Sequence, residues 1–73
     1  MYISYKKLWK LLIDKELKKK DLCELTGISS SSMAKLGKNE YVNLEIIARI
    51  CRALHCDVGD IMEYIDEEES ENA

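Results

Sequence analysis

The chain has 73 residues and a net charge of −3, with 47% hydrophobic residues, only 7% aromatic ones and no proline. That is room for one small domain with a core of leucine and isoleucine rather than large rings, and no apolar run approaches the roughly 20 residues of a membrane span. The charge is unevenly spread: residues 1–38 carry nine lysines against four carboxylates, a balance of +5, and residues 39–73 carry two arginines against ten, a balance of −8.

A first helix is predicted over residues 5–15. Tyr5, Leu8 and Leu12, with Trp9 and Ile13, recur at intervals of three and four and make one broad apolar stripe, and Ser4 stands where an N-cap belongs. Residues 19–36 are the most informative stretch. They read as two short helices, 19–25 and 30–36, joined by a tight turn. Leu22 and Leu25 face inward from the first, and Met33 and Leu36 from the second. Cys23 is small enough to let the two helices cross closely. Gly27 can take the positive φ of a sharp turn, and Ser29 offers a hydroxyl to the free N–H groups of the second helix. Gly37 is placed to end that helix.

The loop Lys38-Asn39-Glu40-Tyr41-Val42 follows, with Tyr41 read as a lid over the core. Asn43 then caps a fourth helix over 44–54, with Leu44, Ile47, Ile50, Cys51 and Leu54 on one face. Asp57 caps a fifth over 58–65, with Val58, Ile61, Met62 and Ile65 apolar. No strand is expected, although Tyr2-Ile3 could form a short edge. The domain is therefore set at 1–65. Residues 66–73 form an acidic tail with too little apolar surface to offset the entropy of ordering, so disorder is expected there.

The three cysteines form no Cys-x-x-Cys pair, and Cys51 and Cys56 are five apart. Disulfide-framework and zinc readings are weak, no cofactor or metal is expected, and the thiols act as small apolar residues. There is a single histidine, His55, read as a surface residue at a helix end. With no serine–histidine–acid or cysteine–histidine set, an enzyme is not expected. The start, Met1-Tyr2-Ile3-Ser4-Tyr5-Lys6-Lys7, is not a signal peptide, so a soluble cytoplasmic protein is expected.

Leu17, Leu22-Cys23, Gly27-Ile28-Ser29, Met33, Leu36, then Leu44, Ile47, Ile50-Cys51, Leu54 and 58–61 follow one another in an order and spacing that resembles the phage repressor–Cro (XRE-type, Cro/C1-type) family of helix-turn-helix regulators. The resemblance covers about residues 5–65. It implies an all-α, five-helix, lambda-repressor-like DNA-binding domain with the helix-turn-helix at helices 2 and 3. The chain departs from the family pattern at Cys23, usually alanine, at Lys19-Lys20, often a polar glutamine or glutamate, and at Gly37, often acidic.

The resemblance also implies that the third helix enters the major groove of double-stranded DNA. On that mapping Ser30, Ser31, Ser32 and Lys35 face base edges, and Lys18, Lys19, Lys20, Lys38 and Asn39 face phosphates. The serines equally suit a cap and a solvated face, and the lysines a solubilising one. Serine hydroxyls both donate and accept, so they discriminate bases weakly. A single copy reads few base pairs, so a repressor acting as a homodimer on a palindromic site is expected. Trp9, Met62, Tyr64 and Ile65 are the apolar candidates for the dimer contact, although a tryptophan in the position of Trp9 is more often simply a core residue. No small-molecule substrate and no membrane partner are evident. The competing reading is a protein-interaction module of the same fold, such as an antitoxin-type partner. The acidic tail could serve there as the contact, or shield the basic face in the absence of DNA.

Overall fold

A computed structural model describes residues 2–66. The order is β1 (Tyr2–Ser4), α1 (Lys6–Asp14), α2 (Lys19–Thr26), α3 (Ser30–Gly37), α4 (Leu44–Leu54), a 3-10 turn (Val58–Asp60) and β2 (Glu63–Ile65). The acidic tail lies outside the described residues except for Asp66.

Four of the five expected helices are present, each within a residue or two of its expected bounds. Asn43 caps α4 as expected: it is extended, and its Oδ1 accepts from the Ile46 amide at 3.0 Å. The N-terminus of α1 differs. Tyr5 occupies the cap position, while Ser4 ends β1 and its hydroxyl accepts from the Lys6 amide at 3.3 Å.

The fifth helix does not form. Asp57 does cap the segment, accepting from the Val58 amide at 2.7 Å, but only one 3-10 turn follows. The chain then extends and pairs antiparallel with β1, Tyr2 opposite Ile65, Ile3 opposite Tyr64 and Ser4 opposite Glu63. An eight-residue helix with Gly59 in its first turn is weak by itself. Pairing instead gives backbone groups of residues 2–4 and 63–65 partners and sets Ile3 against Tyr64, residues that suit a pleated surface. Among the described residues the domain is thus four helices, one 3-10 turn and a two-stranded sheet.

The core is built from Tyr5, Leu8 and Leu12 of the first segment, Leu22, Ile28, Met33 and Leu36 of the central one, and Ile47, Ile50, Leu54 and Ile61 of the last. Helix α2 packs on α3 and α4, and the 3-10 turn bridges α1 and α4. Several apolar residues expected inside are outside. Ile13 and Leu25 are mostly exposed, as is Leu44, the first residue of α4. Tyr41 is 65% exposed and is no lid. Tyr5 is the ring that closes that region: it is buried, and its hydroxyl donates to the Glu40 carbonyl at 3.1 Å.

Candidate nucleic-acid interface

The turn between α2 and α3 is assembled from short-range bonds. Thr26 donates its hydroxyl to the Leu22 carbonyl at 2.7 Å and accepts from the Ile28 amide at 3.4 Å. Gly27 has φ 72° and ψ 13°, and its amide closes α2 on the Cys23 carbonyl at 2.8 Å. That left-handed conformation turns the chain at once, at a position where a Cβ would be strained. Ile28 drops into the core. Ser29 is extended, and its Oγ accepts from the Ser32 amide at 3.1 Å, which starts α3. Cys23 is half-buried against the core, where a small side chain suits the close helix packing.

Burial of Met33 and Leu36 fixes the rotation of α3 about its own axis. Ser30, Ser31 and Lys35 consequently stand on its exposed side, with Ala34. Ser32 is half-buried, and its hydroxyl accepts from that of Ser29 at 3.2 Å, so part of its bonding capacity goes to the cap.

The five residues assigned to phosphates are not equivalent. Lys18, Lys20 and Lys38 are exposed. Lys19 lies with its ammonium 4.5 Å from the centroid of the Trp9 ring, a cation–π contact that ties the start of α2 to α1. Trp9 itself is half-buried against the core. Asn39 is half-buried and takes φ 58°, a left-handed residue two positions beyond Gly37, which ends α3 as expected. Its Oδ1 accepts from the Tyr5 amide at 3.3 Å, which pins the β1–α1 junction to the end of α3. The N-terminus of α2 also holds an anion of its own. Asp21 sits in the first turn and accepts from the Lys18 amide at 2.8 Å, reducing the anion affinity of that helix end.

The sequence reading missed Arg49 and Arg52. Both lie three apart on α4 and line an open groove of about 490 Å³ with Leu25, Thr26, Ala53 and His55. The Arg49 Nη1 is 3.9 Å from where a Cβ on Gly27 would stand, so this guanidinium lies against the helix-turn-helix turn. Its bond to Glu45 at 3.0 Å is between exposed groups and holds it only weakly. Their spacing on one helix was the available signal, but only folding reveals that α4 carries them to the turn. His55 ends α4 in a left-handed conformation and is exposed.

Of the dimer candidates, Met62 and Ile65 are half-buried and Tyr64 is 56% exposed. The Tyr64 hydroxyl is pushed above its ordinary range, by burial first and then by the hydrogen-bonded Asp66 carboxylate. No cluster of three metal-ligating side chains occurs among the described residues, and the three cysteines are free. No helix among those residues is long and apolar enough to cross a membrane.

Comparison with known proteins agrees with this geometry. The family of the Cro/C1-type HTH DNA-binding domain matches residues 7–67. The uncharacterized HTH-type transcriptional regulator YozG of Bacillus subtilis (strain 168) is 32% identical over 62 residues, covering 82% of this chain and 74% of that protein. The crystal structure of the transcriptional regulator VanUg superposes with a TM-score of 0.86 at 55% identity, over 88% of this chain and 85% of that one. With its turn at Gly27, its capped α3 and a family match over nearly the whole described domain, the chain belongs to the Cro/C1-type helix-turn-helix DNA-binding family.

Proposed function

We propose that this chain is a transcriptional repressor of the cytoplasm that binds double-stranded DNA as a homodimer and lays α3 in the major groove. The observation that carries the reading is the division of α3. Met33 and Leu36 are buried while Ser30, Ser31 and Lys35 project outward from a helix whose start is set by the turn at Gly27 and the Ser29 cap. In the proposed complex Ser30, Ser31, Ser32 and Lys35 approach base edges, Ser32 with a hydroxyl already engaged. Lys18, Lys20 and Lys38 approach phosphates, with Lys19 and Asn39 as supports that also reach the backbone. Arg49 and Arg52 extend the cationic surface along α4. Serines with one lysine discriminate bases weakly, so phosphate contacts and DNA shape supply much of the affinity.

The test is selection of bound duplexes from a random pool, followed by titration of the selected site at several salt concentrations. Binding should weaken as salt rises, and Lys18→Gln and Lys38→Gln should each lower the salt slope by about 1 while weakening all sequences alike. The double variant Ser31→Glu, Lys35→Glu should abolish binding and keep the helical far-UV signal. Absence of salt-dependent binding to any duplex would overturn the reading. Sedimentation of the complex tests the dimer.

A further inference from the structure

The helix-turn-helix leaves unused a pair of thiols at the C-terminal end of α4. Cys51 is in the last turn of α4, and Cys56 follows the left-handed His55 that ends it. The Cys56 amide donates to the Cys51 carbonyl at 3.0 Å, the six-to-one bond of a helix-terminating motif. That motif characteristically brings the side chains of the two bonded residues into contact, and here both are cysteines. Both thiols are half-buried rather than sealed in the core.

Cys56 also lines an open groove of about 320 Å³ with Lys7, Lys10, Asp14, Lys15 and Asp60. Three ammonium groups against two carboxylates favour an anionic visitor. Lys7 donates to the Gly59 carbonyl at 3.2 Å and still presents its charge. None of the groove residues belongs to α2 or α3.

We infer that Cys51 and Cys56 are a redox-active dithiol that closes to an intramolecular disulfide on reaction with an anionic small-molecule disulfide entering through this groove. Deprotonated Cys56 attacks one sulfur of that disulfide, forming a mixed disulfide and releasing the other half as a thiolate. Deprotonated Cys51 then attacks the Cys56 sulfur, forming the internal bond and expelling the second half. The two protons lost by the protein are taken up by the two thiolates. The protein dithiol loses two electrons, and the small disulfide gains them. Burial, the Cys51 contact and Asp60 push the Cys56 thiol up while Lys15 pulls it down, so a small thiolate fraction of Cys56 carries the attack and the exchange quickens as pH rises. Closure joins the end of α4 to the residue leading into the 3-10 turn, pinning the connection to β2. Cys23 is on α2, outside this arrangement, and serves as an internal control.

The experiment uses the full chain, treated with excess oxidised glutathione, quenched, alkylated and digested with trypsin. Cleavage after Arg49 and Arg52 puts the two cysteines on separate fragments. The expected product is the 50–52 fragment disulfide-linked to the fragment beginning at Ala53, with Cys23 alkylated. Three alkylated cysteines, a lasting glutathione adduct on Cys56 beside an alkylated Cys51, or a link through Cys23 would each overturn the inference. In Cys51→Ser the glutathione adduct on Cys56 should persist, because the resolving thiol is gone. Loss of the adduct at the wild-type rate would overturn that assignment. The wild-type fragment map needs no variant to fold.

Discussion

Replacing Gly27 and Gly37 in turn by alanine should move stability in opposite directions. Gly27 has φ +72°, and the only neighbour a new Cβ would meet is the Arg49 guanidinium at 3.9 Å, an ordinary contact. The cost of Gly27→Ala is therefore conformational and not steric. A left-handed L-residue costs about 1–2 kcal/mol, partly offset by about 0.4–1 kcal/mol from a less free unfolded chain, leaving roughly 1 kcal/mol of destabilisation. Gly37 is the last residue of α3 without a positive φ, and its new Cβ would meet only the flexible end of Lys19 at 3.9 Å. Alanine there gains about 0.5–1 kcal/mol of helix preference. In a domain of this size 1 kcal/mol corresponds to about 4–8 °C in Tm, so the two variants should melt roughly 10 °C apart, on either side of the wild type. Thermal melts by far-UV circular dichroism read this directly. Gly27→Asn should recover part of the loss, since asparagine tolerates the left-handed region. Gly27→Ala melting with the wild type, or Gly37→Ala falling as far as Gly27→Ala, would refute the assignment of the turn to Gly27.

Other substitutions separate the roles assigned above. Leu36→Ala empties a fully buried site and should cost about 2–5 kcal/mol, comparable to the stability a domain this small draws from its core, whereas Leu44→Ala should stay within about 0.5 kcal/mol despite lying on the same expected apolar system; urea titration distinguishes them. Asn39→Asp keeps an acceptor for the Tyr5 amide and adds a negative charge at the proposed phosphate surface, so DNA affinity should fall with little change in melting temperature. A fall in melting temperature with DNA affinity unchanged would make Asn39 purely structural. Tyr5 has its hydroxyl raised above 10.0, by burial first and then by Tyr41. A group whose folded pKa is raised contributes stability fully below its unfolded pKa and loses it as pH climbs through the folded value. Stability should thus decline above pH 10, and Tyr5→Phe should flatten that decline; chemical denaturation on either side of pH 10 checks it.

Features that depend on neighbours three or four residues apart were legible in the sequence. The Gly27 turn, the Ser29 and Asn43 caps and the bounds of α4 are bonds between residues close along the chain, so residue type and spacing determine them. The same holds for the contact surface of α3: once Met33 and Leu36 are inside, helical geometry puts Ser30, Ser31 and Lys35 outside. Features that depend on distant partners were not legible. Val58, Ile61, Met62 and Ile65 are spaced for a helix, but β1, some sixty residues away, offers Glu63–Ile65 a ladder that no local pattern announces. Leu25 and Leu44 satisfy the helical period yet lie beyond the edge of the surface their helices bury. Gly37 ends α3 as expected, but the left-handed residue two positions on is Asn39, whose side chain also ties Tyr5, and Tyr5 rather than Tyr41 is the covering ring. Residue type and spacing thus determined the turn motif, and the order of those residues carried the resemblance to its family. Only the tertiary structure decided which helix faces found a partner and that α4 brings Arg49 to the turn.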